Sequence, residues 1–108
     1  MIAEEIREAI KKRAETNDEW EYGLDRCWEE EVEILTRNVK DTIWFFEREC
    51  TADELSWISE VFDEIFEKVP DRKLYECIIN ACRKYPEECE KYHIMQQLDD
   101  LSDAIVGD

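Results

Sequence analysis

One imidazole, His93, and five thiols, Cys27, Cys50, Cys77, Cys82 and Cys89, are the residues of this chain best suited to covalent or metal chemistry. A cysteine nucleophile needs a base within hydrogen-bond reach and a third group to orient that base. Cys89, four residues before His93, would share a helical face with it, but the local signatures that accompany Cys/His catalysis are absent. Zinc sites use four ligands, and one histidine without a Cys-x-x-Cys pair supplies too few; Cys77 and Cys82 would diverge on a helix. Gly23 and Gly107 are the only glycines, which excludes a phosphate-cradling loop. Among 30 acidic residues, paired carboxylates arise at almost any spacing by chance. The expectation is therefore no catalytic residue, no cofactor and no metal. His93 reads as a polar neighbour of Tyr92, and the cysteines read as small apolar core residues in a reducing, cytoplasmic setting.

What distinguishes the chain is carboxylate density. Asp and Glu total 30 against 14 Lys and Arg, a formal net charge of −16 on 108 residues. Half of that excess lies between Glu15 and Glu33, where nine acids accompany a single base, Arg26. Such a surface accelerates encounters with a cationic partner and repels nucleic acid and anionic membranes. The expected partner is a basic protein, with no direct nucleic-acid or membrane contact.

The acids are also patterned. On a helical wheel Asp18, Glu21, Asp25, Glu29 and Glu33 form one stripe at spacings of three and four, and Tyr22 projects from its middle. Trp20, Leu24, Cys27, Trp28, Ile34 and Leu35 fall on the opposite side, together with Glu31, whose place among apolar residues would suit a buried general base or metal ligand but fits better a salt bridge to Arg7 or Lys11, or no role at all. Glu60, Asp63, Glu64 and Glu67 make a second acidic patch with Trp57 at its edge, near Lys68. Because Tyr and Trp favour interface centres, the candidate partner-binding residues are Asp18, Glu21, Tyr22, Asp25, Glu29, Glu33, Trp57, Glu60 and Glu64.

The elements that position these residues read as helices. Apolar residues make up 44% and aromatics 11%, too rich for a disordered acidic tail. Two glycines and two prolines are too few to punctuate a β-fold. The chain is expected to be all-α, a single domain over residues 1–108 built as one compact bundle of about five to six short helices. Ile2, Ile6 and Ile10 mark the first helix, which ends in the basic cluster Arg7, Lys11, Lys12 and Arg13. Asn17 or Asp18 would start the second. Asn38 followed by Asp41 reads as the cap of a third, where Thr42-Ile43-Trp44-Phe45-Phe46 is too apolar for an exposed helix and belongs to the core. Thr51 and Glu54 form a capping box ahead of Leu55, Ile58, Phe62, Ile65 and Val69. Val69-Pro70-Asp71 stops that helix and caps the next, and Pro86 suits the first turn of a further one. Ile94, Met95, Leu98, Leu101 and Ile105 continue at helical spacing before Gly107. The N-terminus is charged and has no apolar run of signal-peptide length, and no run of roughly 18 apolar residues follows.

A small, acidic, helical, cytoplasmic chain with Tyr22 set among exposed carboxylates resembles the immunity proteins of bacterial toxins. The likeness is one of charge, size and helicity. The Tyr-Tyr-Pro helix of the nuclease-colicin immunity group has only an echo here, in Lys84-Tyr85-Pro86, and no site residue is carried over. The resemblance implies an inhibitor that occludes a basic toxin nuclease and performs no chemistry. Two further roles fit the same sequence: a phage-type DNA mimic blocking a defence nuclease, and a helical adaptor or self-associating subunit.

Overall fold

α1 (Ile2–Glu15) and α2 (Glu21–Thr36) lie side by side as an antiparallel hairpin, and the links between them show the direction. Arg37 pairs with Glu5 at 3.1 Å, Lys12 with Glu30 at 3.3 Å, and Thr16 lies 3.4 Å from Cys27. As one number rises the other falls. A computed structural model of the chain describes residues 2–105; the expectation that Gly107 closes the chain lies outside them. The turn of the hairpin is built by Asn17, whose side chain accepts the Glu19 N–H at 2.8 Å while its carbonyl accepts the Trp20 N–H at 3.0 Å. This local bonding competes with helix, so α2 starts at Glu21. It starts neither at Asn17 nor at Asp18, and Trp20, left at the N-cap position, is 59% exposed where the wheel placed it on the apolar side.

At three other helix starts the side-chain caps appear where their residue types predict them. Asn38 accepts the Asp41 N–H at 3.3 Å to open α3 (Val39–Arg48). Thr51 and Glu54 exchange both bonds of the capping box at the head of α4 (Ala52–Ile58), and Asp71 accepts the Leu74 N–H at 3.0 Å to open α6 (Arg72–Lys84). Pro86 begins α7 (Pro86–Lys91), and α8 (Ile94–Leu101) follows after His93, which adopts the left-handed conformation at φ 56°. The helix expected from Thr51 to Val69 is broken: a 3-10 turn, Ser59–Val61, separates α4 from α5 (Phe62–Lys68). Gln97 of α8 donates to the Ser59 carbonyl at 2.6 Å, satisfying a backbone acceptor at the break. The break and the short C-terminal helices raise the number to eight α-helical segments among the described residues, against the five or six expected, in an all-α bundle.

Leu55, Ile58, Phe62 and Ile65 stay on the inner side across the break and are fully buried. They meet Phe45 and Phe46 of α3, Phe66, and Leu74 and Ile78 of α6 in one core, each large side chain contributing about 1.5–3 kcal/mol by burial. Tyr75 and Tyr85 reach across it to donate to the carbonyls of Leu98, at 2.8 Å, and Cys50, at 2.9 Å. The Cα radius of gyration is 13.1 Å, as for a single globule of this length. No described helix is long and apolar enough to cross a membrane.

Candidate functional site: an acidic groove beside a buried carboxyl

The two acidic patches meet. α2 packs against α5, and between them runs an open groove of about 650 Å³ lined by Asp25, Glu29 and Glu33 from α2 and by Glu64, Glu67 and Lys68 from α5, with Trp28 and Val32 as its apolar part. Arg37 holds Glu33 at 3.1 Å. Asp25, Glu29, Glu64 and Glu67 have no salt-bridge partner among the described residues. Five carboxylates against one lysine, beside buried or half-buried apolar surface, form a cleft suited to cationic side chains with aliphatic stems.

Tyr22 lies on the other side of the ridge formed by Glu29 and Glu33. It is 63% exposed, and its ring centroid stands 6.2 Å from that of Trp20. The two rings border a second hollow with Lys12, Arg26 and Cys27. Glu21, at the first turn of α2, is exposed and borders neither hollow.

Three of the candidate residues, Asp18, Trp57 and Glu60, contact Arg13. Arg13 is only 8% exposed; its Nε and Nη2 donate to Glu60 at 2.9 and 2.8 Å, and its Nη1 donates to Asp18 at 3.1 Å. Its guanidinium stands 5.3 Å from the Trp57 ring centroid and 5.9 Å from that of Trp28, within cation–π range of both. Glu60 also accepts the Trp28 indole N–H at 3.1 Å. Asp18, Glu60 and Trp57 thus fix the joint between α1, α2 and the 3-10 turn, while Asp25, Glu29, Glu33 and Glu64 share the groove and Tyr22 flanks it. Glu67 and Lys68 belong to the groove as well.

Sequence reasoning underrated Arg13. Counting from Ile6 and Ile10 places it on the buried face of α1, a signal hidden by its membership of a basic cluster. Glu31 corrects a second expectation. It is fully buried and neither carboxyl oxygen has a hydrogen-bond partner among the described residues. Arg7, one of its expected partners, is taken by Glu54 at 2.6 Å and Glu49 at 3.6 Å. Burial foremost, and then the charge of Glu60, pushes the Glu31 carboxyl up to about 8, with Arg13 pulling the other way. At neutral pH this carboxyl is mostly protonated and uncharged.

Cys82, Cys89 and His93 border one open hollow, and the two thiols are buried. Burial pushes Cys50 up to about 12 and Cys77 to about 11, and it raises Cys82 and Cys89 as well. Protonated thiols are poor nucleophiles and poor metal ligands. Cys89 points its Sγ at the Cys82 carbonyl, 3.5 Å away, and α7 ends before His93, so the shared helical face considered for that pair does not form. No group of three His, Cys, Asp or Glu among the described residues is placed to hold a metal ion. Comparison of the chain with protein-family models, curated proteins and solved structures finds no match.

Proposed function

We propose that this chain is a non-catalytic acidic binding protein that neutralises a basic partner by occlusion, in the manner of an immunity or antitoxin-type inhibitor of a bacterial toxin nuclease. The observation that carries this reading is the α2–α5 groove, where carboxylates without internal partners border the Trp28 and Val32 surfaces. The net charge of −16 steers a cationic surface toward the chain. At the groove, Lys or Arg side chains of the partner lay their stems along Trp28 and Val32 and place their charges among Asp25, Glu29, Glu64 and Glu67. Tyr22, exposed beyond the Glu29–Glu33 ridge, supplies a rigid amphipathic contact at low entropic cost. The bound carboxylates take the positions that substrate phosphates would occupy in a nuclease, which blocks it without chemistry. A DNA mimic acting on a defence nuclease would use the same physics on a different partner. An adaptor working through an apolar groove is less well supported, because Trp20 is the only exposed tryptophan and no described phenylalanine is exposed.

The test is capture from a bacterial lysate at low salt, followed by elution with rising salt, for the unaltered chain and for Asp25→Lys with Glu29→Lys. The expected result is a basic nuclease or toxin domain that salt elutes and that the double variant fails to hold. A partner that resists high salt and binds the variant equally would overturn the reading.

A further inference from the structure

Two unfavourable features coincide at the start of α2. Trp20 leaves most of its indole in solvent, and Gly23 stands inside a helix, where it is disfavoured against alanine. The two are connected. A Cβ on Gly23 would overlap Cε3 of Trp20 and come within 2.8 Å of its Cδ2 and Cζ3. The missing side chain is what lets the indole lie against the helix, with its ring centroid 6.2 Å from that of Tyr22. The planes are tilted by 47°, so the rings form no closed stack, and both remain exposed. Departures from local folding rules concentrate at functional sites, and Trp and Tyr are the residues that anchor interfaces.

The surroundings select what covers the rings. Glu29, Glu30 and Glu33 line the same hollow, and Glu19 and Glu21 flank Trp20 in the chain. Of the two bases in the hollow, Lys12 is held by Glu30 at 3.3 Å and Arg26 donates to the Tyr22 hydroxyl at 3.4 Å. A second copy of the chain would bring its own net charge of −16 to this surface and be repelled. An uncharged apolar partner would strip water from carboxylates without pairing them. A guanidinium suits both parts of the surface: it is planar and weakly hydrated, stacks on aromatic faces, and has N–H donors to spare for a carboxylate. A lysine ammonium is compact and strongly hydrated, and stacks less well.

We propose that Trp20 and Tyr22, seated by Gly23, form a stacking subsite for an arginine side chain of the basic partner, across the Glu29–Glu33 ridge from the groove. The subsite rests on the reading of the groove as a site for a cationic partner and adds the kind of cation. The groove accepts lysine or arginine by charge, whereas the ring pair favours arginine. Glu29 borders both hollows and has no salt-bridge partner among the described residues, so it is the carboxylate free to accept from the stacked guanidinium.

The test compares hexa-arginine and hexa-lysine peptides, which carry equal charge, by NMR titration of the labelled chain at low salt. The readouts are the Trp20 indole N–H, assigned through Trp20→Ala, and the groove amides of Asp25 and Glu64. Both rings are exposed, so removing either leaves the core intact. The expected result is that hexa-arginine moves the Trp20 indole and binds about two- to fivefold tighter than hexa-lysine. That margin should vanish in Trp20→Ala and in Tyr22→Ala and shrink in Gly23→Ala, while hexa-lysine binds all three variants as it binds the unaltered chain. Equal binding of the two peptides, or a margin that survives Trp20→Ala, would overturn the subsite and leave the groove reading standing. If neither peptide perturbs the groove amides, that reading fails and the subsite fails with it.

Discussion

Replacing Glu31 by Gln should change how stability depends on pH far more than it changes the structure. An unfolded chain holds this carboxyl near 4.5, whereas the fold pushes it up to about 8. Between those values the native state keeps a proton that the unfolded state has lost, so stability falls as pH rises. The contribution is fully present below pH 4.5, declines by up to about 1.4 kcal/mol per pH unit, and is exhausted above 8. The gap of about 3.5 pH units corresponds to about 5 kcal/mol in total, most of it already lost at pH 7. That is a large part of the 5–15 kcal/mol that stabilises a typical domain. Urea unfolding followed by circular dichroism from pH 4.5 to 9, on the unaltered chain and on Glu31→Gln, measures it directly. Other acids titrate in both proteins, so the difference between the two curves isolates Glu31. The difference should grow steadily in favour of Gln from pH 5 to pH 8 and then level off. Parallel curves across that range would refute the reasoning, because they would mean that Glu31 ionises in the fold as easily as in the unfolded chain.

Other consequences follow from the contacts. Thr51→Ala removes the side-chain acceptor of the capping box and should lower stability by about 1 kcal/mol in the same unfolding assay. At Gly23 an added Cβ would come within 2.3 Å of the Trp20 ring, but that ring is exposed, with solvent to turn into, while Ala gains about 1 kcal/mol in helix propensity over Gly. Gly23→Ala should therefore leave stability unchanged or slightly raised and alter Trp20 fluorescence; a loss above about 1 kcal/mol would mean that the ring is fixed. In the native chain a maleimide probe should label the half-buried Cys27 first, and Cys50, Cys77, Cys82 and Cys89 should react only on unfolding, as mass spectrometry of digested samples would show.

How much of this was legible in the residues depended on the range of the interaction. Asn38, Thr51 and Asp71 cap helices through bonds to residues three positions away, and that chemistry is written locally. The start of α2 is local too, but Asn17 had two options, a helix cap or a side-chain turn, and it took the turn, which carried Trp20 out of the core. The break at Ser59–Val61 keeps the same apolar face on both sides, so periodicity runs through it unchanged, and the Gln97 bond that accompanies it is 38 residues distant. A helical wheel places Glu31 on the inner side of α2 but carries no information on depth. Its burial without a partner is set by how α2 packs on its neighbours, where the one buried arginine among the described residues, Arg13, binds Glu60 and Asp18 instead. The joining of Asp25, Glu29 and Glu33 with Glu64 in one groove is likewise a product of packing between α2 and α5. Each stripe was readable alone, and their meeting was not.

The central claim is that the α2–α5 groove receives a basic partner. The most direct measurement is an NMR titration of the isotope-labelled chain with the partner captured at low salt, reading backbone amides at low and at raised salt. The account predicts perturbations concentrated on Asp25, Glu29, Val32, Glu64 and Glu67, extending to Tyr22 and fading as salt weakens the complex. Perturbations confined to α6, α7 and α8, with the groove silent, would contradict it.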